Sequence, residues 1–343
     1  MSTIRDVAKE AGVSVSTVSL VINGSQSIKL ETRFRVLKAI EELRYVPNQS
    51  ARALVTKKKK VIGLINTTSS DEDFLYTFDS VPNTYLSDML EAIVQETNAK
   101  DYSITIDSTG SKGINFDKPP VIMDKNRVDG IMFMSGVLTE EQVQMLLKMG
   151  IPTVVIGARS KSLDCVDTDP EKGFYMGTQH LIENGHRAIA CINGPDESQS
   201  AARKLAGYKA ALEEAGIPFQ EELYRKGNYS ARTGYEGMRS IWERGVRPTA
   251  LIALDCTALG ATRFLYEQGL FCPKDISVVG FEDGLLPELS IPPMTSIRVH
   301  KAQLGQQACR VLFNRLENPN AQKVQLILPP ELILRASVRN INP

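Results

Sequence analysis

From Val61 onward, short apolar runs alternate with longer stretches of helical periodicity, and this alternation limits the fold more than any other feature of the chain. The run VIGLI at 61–65 is apolar at every position. A strand with one wet face alternates in polarity, whereas an unbroken run marks a strand covered on both faces. Runs over 103–107, 129–134, 153–157, 188–193, 249–253 and 276–280 predict further strands. Stretches over 84–99, 139–149, 172–184, 200–215, 231–244, 256–268 and 301–315 predict helices between them. Strands and helices in strict alternation build parallel sheets with helices on both faces. There are more strands than one domain of roughly 100–150 residues needs, so the pattern predicts an α/β core, 61–343, of two Rossmann-like sub-domains. Segment 66–83, NTTSSDEDFLYTFDSVPN, is acidic, polar and long for a loop.

The first 47 residues follow another rule. Ile4, Val7, Ala8 and Ala11 share one helical face, and Thr3 with Asp6 forms a capping-box start. Gly12 ends that helix, and Ser14 can cap the next, with Val18, Val21 and Ile22 facing inward. A third helix carries Val36, Ile40 and Leu43, and Pro47 closes it. Two helices around a tight glycine turn are the helix-turn-helix pattern. The predicted head is therefore small and all-α, spanning 1–47. Residues 48–60, NQSARALVTKKKK, lack a continuous apolar stripe and read as a linker.

Charge separates the same regions. The chain is neutral overall, with 40 basic and 40 acidic residues. Residues 1–60 hold twelve basic against five acidic residues, a net +7, which leaves −7 on the remainder. A basic head on an acidic body predicts a polyanion partner for the head alone. Lys57–Lys60 read as a solvated run that adds a sequence-blind, salt-dependent attraction. The five cysteines are scattered without a CxxC pair, which argues against zinc-ribbon and thioredoxin chemistry and for a reduced compartment. No apolar h-region follows the charged start, and no apolar run reaches the roughly 20 residues of a membrane span, so a cytoplasmic location is expected. No HExxH, GxSxG, Walker-A or GxGxxG motif occurs. His180, His186 and His300 are the only histidines, and His186 in NGHRA reads as structural. Neither an enzyme nor a metal or cofactor protein is expected.

The segments TIRDVAKEAGVSVSTVSLVING and ETRFRVLKAIEELRYVPNQSARAL resemble the DNA-binding head of the lactose-repressor (LacI/GalR) family. RVDGIMFM, GIPTVVIG, HLIENGHRAIACINGP, LAGYKAALEEAGI, LGATRFLYEQGLFCPKDISVVGFED and IPPMTSI resemble successive parts of its effector-binding core. Each match is weak alone; their number and order are specific. The resemblance implies a helix-turn-helix head, a hinge helix and a core like the type I periplasmic binding proteins. It also implies a homodimer on a pseudo-palindromic double-stranded operator, matching two-fold protein symmetry. By that resemblance Val15, Ser16 and Leu20 would read bases. Thr17, Ser19, Asn23, Thr32, Tyr45 and Asn48 would contact phosphates or fix the helix. Ala51 and Arg52 would approach the minor groove, with Leu54 as an apolar wedge between bases. Leu20 stands where many relatives carry an arginine that reads guanine bidentately. A leucine can only contact a thymine methyl or stand clear.

The resemblance further implies a small-molecule effector, a sugar or sugar derivative, bound between the core lobes. Several positions depart from the sugar-binding pattern. Gly157 replaces an acid after the VVI strand, Lys204 replaces an arginine, Leu254 replaces an asparagine beside a retained Asp255, and Glu282 stands as the first acid before Asp283. Tyr229 keeps an aromatic, and Tyr85 and Arg159 are expected to line the cleft. Losing an asparagine and an acid removes partners that sugar hydroxyls need, and lysine lacks the guanidinium fork. Arg159, Arg203 and Lys204 open the alternative of an anionic ligand. The sign of control also stays open: the ligand either releases the operator or, as a co-repressor, strengthens binding. ILRASVRNINP has no leucine heptad, so a dimer rather than a tetramer is expected.

Overall fold

The computed structural model describes residues 2–22, 25, 27–45, 58–67, 84–109, 120–134 and 138–343. The chain forms two compact units, Met1–Lys59 and Lys60–Pro343.

The first unit holds α1 (Ile4–Glu10), α2 (Val15–Ile22) and α3 (Leu30–Glu42). The Thr3–Asp6 capping box is formed: Asp6 N–H donates to Thr3 Oγ1 at 3.4 Å, and Thr3 N–H donates to Asp6 Oδ2 at 2.7 Å. Thr3 N–H and Thr3 Oγ1–H, the latter at 2.8 Å, both donate to the Asp6 carboxylate and hold it below its ordinary range. Gly12 turns the chain at φ +62°, in the left-handed region that glycine enters without strain. Val7, Ala8, Ala11, Val18, Val21, Val36 and Ala39 form the core of this unit, with Ile22, Ile40, Leu43 and Tyr45 packed around it.

The second unit contains two six-stranded sheets. The first comprises β1 (Val61–Thr67), β2 (Ser103–Thr109), β3 (Gly130–Met134), β4 (Thr153–Ile156), β5 (Asp164–Thr168) and β11 (Gln325–Leu328), in the order β11-β5-β4-β3-β1-β2. All of its pairings are parallel. The second comprises β6 (Ile189–Asn193), β7 (Tyr224–Lys226), β8 (Ala250–Ala253), β9 (Ser277–Glu282), β10 (Thr295–Arg298) and β12 (Glu331–Ile333), in the order β12-β10-β9-β8-β6-β7. It is parallel except for the β10–β12 pair. The helices are α4 (Thr84–Ala99), α5 (Glu140–Met149), α6 (Pro170–Glu183), α7 (Gln199–Glu214), α8 (Ala231–Glu243), α9 (Asp255–Glu267), α10 (Leu285–Leu289) and α11 (Lys301–Glu317).

The chain passes between the sheets after β5, after β10 and between β11 and β12, so the lobes are interleaved. Helix α11 returns from the second sheet to pack on β3, β4, β5 and α4. Its Arg315 grips buried Asp164 of β5 through Nε at 2.8 Å and Nη2 at 3.0 Å. The same guanidinium bonds the carbonyls of Pro319, Ala321 and Gln322 on the way to β11. Burial pushes Asp164 upward, but its bonds to Arg315 and Val324 N–H outweigh that and hold its carboxyl below the usual range.

The seven strands and seven helices expected in the core are present, with ends shifted by a few residues. Five strands and α10 escaped the hydrophobic pattern. β5 reads DCVDT because its two acids are buried against arginines, and β10 reads TSIR because Ser296 is buried against Asp255. β7, β11 and β12 are short and at sheet edges or partly exposed. Such strands bury too little apolar surface to leave a periodic trace.

Candidate nucleic-acid interface and interlobe cleft

In the first unit, Ser14 starts α2: its Oγ accepts Thr17 N–H at 3.1 Å and pairs with Thr17 Oγ1 at 2.9 Å. Val18 and Val21 turn into the core, which fixes the rotation of the helix. Val15 and Leu20 are then left 41% and 43% exposed, with Ser16 also exposed beside them. Thr17 and Ser19 are half-buried at the margin of this face, as are Thr32 on α3 and Tyr45 after it. The outward helix face thus presents two short aliphatic side chains and a hydroxyl. It contains no acid to repel a phosphate backbone. Asn23, Asn48, Ala51, Arg52 and Leu54 lie outside the described residues.

In the second unit, Asp167 near the carboxyl end of β5 and Glu282 at that of β9 both act on Tyr85, so strand ends of the two lobes face a common space, the usual place for a ligand in open α/β sheets. Asp167, near the end of β5, receives Arg159 Nε of its own lobe at 3.1 Å and Arg203 Nη2 of α7 in the other lobe at 2.7 Å. Gln199 adds two bonds between lobes: its Oε1 accepts Arg159 N–H at 3.1 Å, and its Nε2 donates to Leu138 C=O at 3.2 Å. Arg159 is therefore tied to Asp167 and to Thr168 C=O. It also lines an outer groove of about 280 Å³ with Asp169, Glu171, Lys172, Tyr175, Gly207 and Ala210.

Lys204 is 4% exposed. Its ammonium lies 4.6 Å from the Tyr229 ring centre, 4.8 Å from Phe281 and 5.9 Å from Phe174. Burial pushes its pKa down to about 8, against the opposing pull of Glu282. Tyr229 sits at φ +68° and is fixed by a 3.2 Å bond to Ser198. A Cβ on Gly194 would fall within its ring, so only glycine allows the tyrosine this position.

Glu282, which ends β9, and Asp283 after it have φ of +117° and +50°, a backbone that side chains rarely adopt. The turn is clamped from three sides. Asp283 N–H donates to Asp255 Oδ2 at 2.8 Å, while Arg298 and Arg335 reach its carboxylate at 2.8 and 2.6 Å. The second oxygen of Asp255 accepts Ser296 Oγ–H at 2.6 Å. Burial pushes Asp255 up to about 8. Burial also raises Glu282, against the pull of Lys301 and Lys204. Burial raises Tyr85 of α4, and the charges of Asp167 and Glu282 add to it, so this first-lobe hydroxyl lies within electrostatic reach of the second lobe. Leu254 stands buried at the start of α9, where it offers the first turn no side-chain hydrogen bond.

The structure therefore gathers Tyr85, Lys204, Tyr229 and Glu282, with Arg159 at one side and Asp255 behind Glu282. Sequence reasoning missed Asp88, Asp167, Gln199 and Lys301. Lys301 pairs with Asp88 at 2.7 Å and neighbours Gly284. Asp167 has a faint signal, an acid at a strand end before the helix-starting DP of α6; the others have none. His186 is engaged at both ring nitrogens, with Thr249 at 3.0 Å and Arg339 C=O at 3.3 Å. Among the described residues no His, Cys, Asp or Glu group could hold a metal, and all five cysteines are free.

Residues 3–48 match the family described as bacterial regulatory proteins, lacI family, and residues 178–338 match a periplasmic binding protein-like domain. The chain is 34% identical over 348 residues to the HTH-type transcriptional repressor PurR of Vibrio campbellii, covering 100% of both chains. It is similar to the lac repressor dimer bound to operator and the anti-inducer ONPF, at TM-score 0.83 and 28% identity, covering 98% of this chain and 99% of that one. It also resembles the regulator CelR in complex with cellobiose, at TM-score 0.71 and 30% identity, covering 98% of this chain and 100% of that one.

Proposed function

Because the chain belongs to the lacI family of bacterial regulatory proteins, a family of DNA-binding repressors with ligand-binding cores, we propose how its own residues divide the work. As a homodimer it places α2 of each head in the major groove of one half of a pseudo-palindromic operator. Val15, Ser16 and Leu20 face base edges. Thr17, Ser19, Thr32 and Tyr45 meet phosphates or brace the helix, as do Asn23 and Asn48. Ala51, Arg52 and Leu54 serve the minor groove between the half-sites. The observation that carries this reading is the outward face of α2, held exposed by the burial of Val18 and Val21. Binding chromosomal DNA places the protein in the cytoplasm. No described helix is long and apolar enough to cross a membrane.

The cleft holds the effector, a small polar molecule such as a sugar derivative. Tyr85, Lys204, Tyr229, Leu254 and Glu282 form its walls, with Arg159 at the edge. Asp255 acts one step removed, since both its oxygens are engaged in holding the Glu282–Asp283 turn. A ligand that prefers the closed lobes changes operator affinity by the difference between its affinities for the two lobe arrangements. Operator titration with full-length protein tests both halves. Binding that is salt-sensitive but blind to sequence refutes the assignment of α2. A fall in affinity with ligand marks an inducer; a rise marks a co-repressor.

A further inference from the structure

Lys204 stands out among the cleft residues for what it lacks. The residue is only 4% exposed, yet among the described residues no carboxylate lies within ion-pair distance of its ammonium and no hydrogen bond reaches it. Three aromatic rings hold it from the protein side. Asp167 is already shared by Arg159 and Arg203, and Asp88 is taken by Lys301. Glu282 acts on Lys204 only through space and is drawn more strongly to Lys301. Arg159, Arg203, Lys204 and Lys301 stand against Asp88, Asp167 and Glu282, and Arg298 and Arg335 against Asp255 and Asp283, which leaves one cation in excess among these cleft groups. A second donor is open on the neighbouring residue: Arg203 Nη1 is buried and makes no hydrogen bond.

A buried charge without a counter-charge is among the least favourable arrangements in a protein, and a partner of opposite sign relieves it. Resting on the cleft reading above, we propose that the effector is an anionic polar molecule whose carboxylate or phosphate group seats on Lys204, with Arg203 Nη1 beside it. A neutral polyol gives the ammonium a hydroxyl to bond but leaves the excess charge in place. An anion cancels it and gains a charge-assisted bond in a site whose desolvation the fold has already accomplished. The Tyr229 ring, locked by Gly194 and Ser198, keeps the ammonium aimed while the ligand arrives.

The test uses full-length protein, as wild type, Lys204→Met and Lys204→Arg, with circular dichroism confirming the fold of each. Melting is followed in sodium acetate, sodium phosphate and sodium chloride at equal ionic strength. Binding and operator affinity are then measured with D-gluconate against D-glucose, D-galacturonate against D-galactose, and D-glucose 6-phosphate. The expected result is stabilisation of wild type by acetate or phosphate beyond chloride, lost in Lys204→Met and kept in Lys204→Arg. Acidic probes should bind about tenfold or more tightly than their neutral partners, a preference that also disappears in Lys204→Met. Stronger response to gluconate and galacturonate assigns the group as a carboxylate; stronger response to glucose 6-phosphate assigns a phosphate. Equal binding of acidic and neutral members, or an acid preference that survives in Lys204→Met, overturns the anionic assignment while the cleft reading stands. Operator affinity that responds to no probe, acidic or neutral, overturns both.

Discussion

Replacing Leu20 with arginine tests the head at the most exposed large apolar residue of α2. Leu20 is 43% exposed and belongs to none of the apolar clusters, so the substitution should change stability by only about 0.5 kcal/mol. Val18, two residues earlier, is fully buried in the same helix, and Val18→Arg should unfold the head. The pair separates a reading face from a packing face within one α-helix. A leucine contributes at most an apolar contact with a thymine methyl, so the wild-type operator should show A·T or no preference beneath it. An arginine that reaches guanine O6 and N7 contributes about 1–3 kcal/mol of discrimination, or roughly 5- to 150-fold per half-site. The assay is selection from a randomised operator library with both proteins, followed by titration of the selected sites at two salt concentrations. Leu20→Arg should shift one symmetric base-pair position toward G·C in both half-sites and leave the other positions alone. An unchanged profile, or a change spread evenly over the site, would refute the placement of α2.

Arg315→Met should lower stability by about 3–5 kcal/mol in chemical denaturation, because it strands the buried Asp164 carboxylate. Removing both charges with Asp164→Leu and Arg315→Met should recover most of that loss, and a double variant as unstable as the single would refute the explanation. Lys204 is held at about 8 by burial, so between that value and roughly 10.4 the unfolded chain binds the extra proton. Stability of the ligand-free protein should therefore rise with pH across that window by about 3 kcal/mol relative to Lys204→Met, as read from the difference between their denaturation curves. Gln199→Ala removes two interlobe bonds worth about 1 kcal/mol each, which should shift lobe closure by roughly thirtyfold. Small-angle scattering should then report a larger radius of gyration, and an unchanged profile would count against these bonds as a clasp.

The architecture was legible wherever burial is apolar and continuous. VIGLI at β1, the 84–99 helix and the Gly12 turn announce themselves because apolar spacing, caps and positive φ are local consequences of local residues. The outward place of Leu20 was legible for the same reason, since a helix that buries Val18 and Val21 must expose the opposite face. β5 was not, because Asp164 and Asp167 look like surface residues until Arg315 and Arg203, distant in the chain, arrive beside them.

The cleft divides along the same line. Lys204, Tyr229, Asp255 and Glu282 could be picked out of the sequence as polar or aromatic residues at strand and helix ends, but their conditions could not. Asp255 is turned inward to hold Asp283 N–H, Arg159 is occupied by Asp167, and Lys204 has no carboxylate within ion-pair distance among the described residues, all because three chain crossings bring the two lobes together as they do. Sequence by itself determined the head, the family and those elements of the core whose burial is apolar, because periodicity and capping act over a few residues. Which charges are paired and which remain open was decided by the tertiary structure, because pairing depends on distances between residues that only the fold makes neighbours.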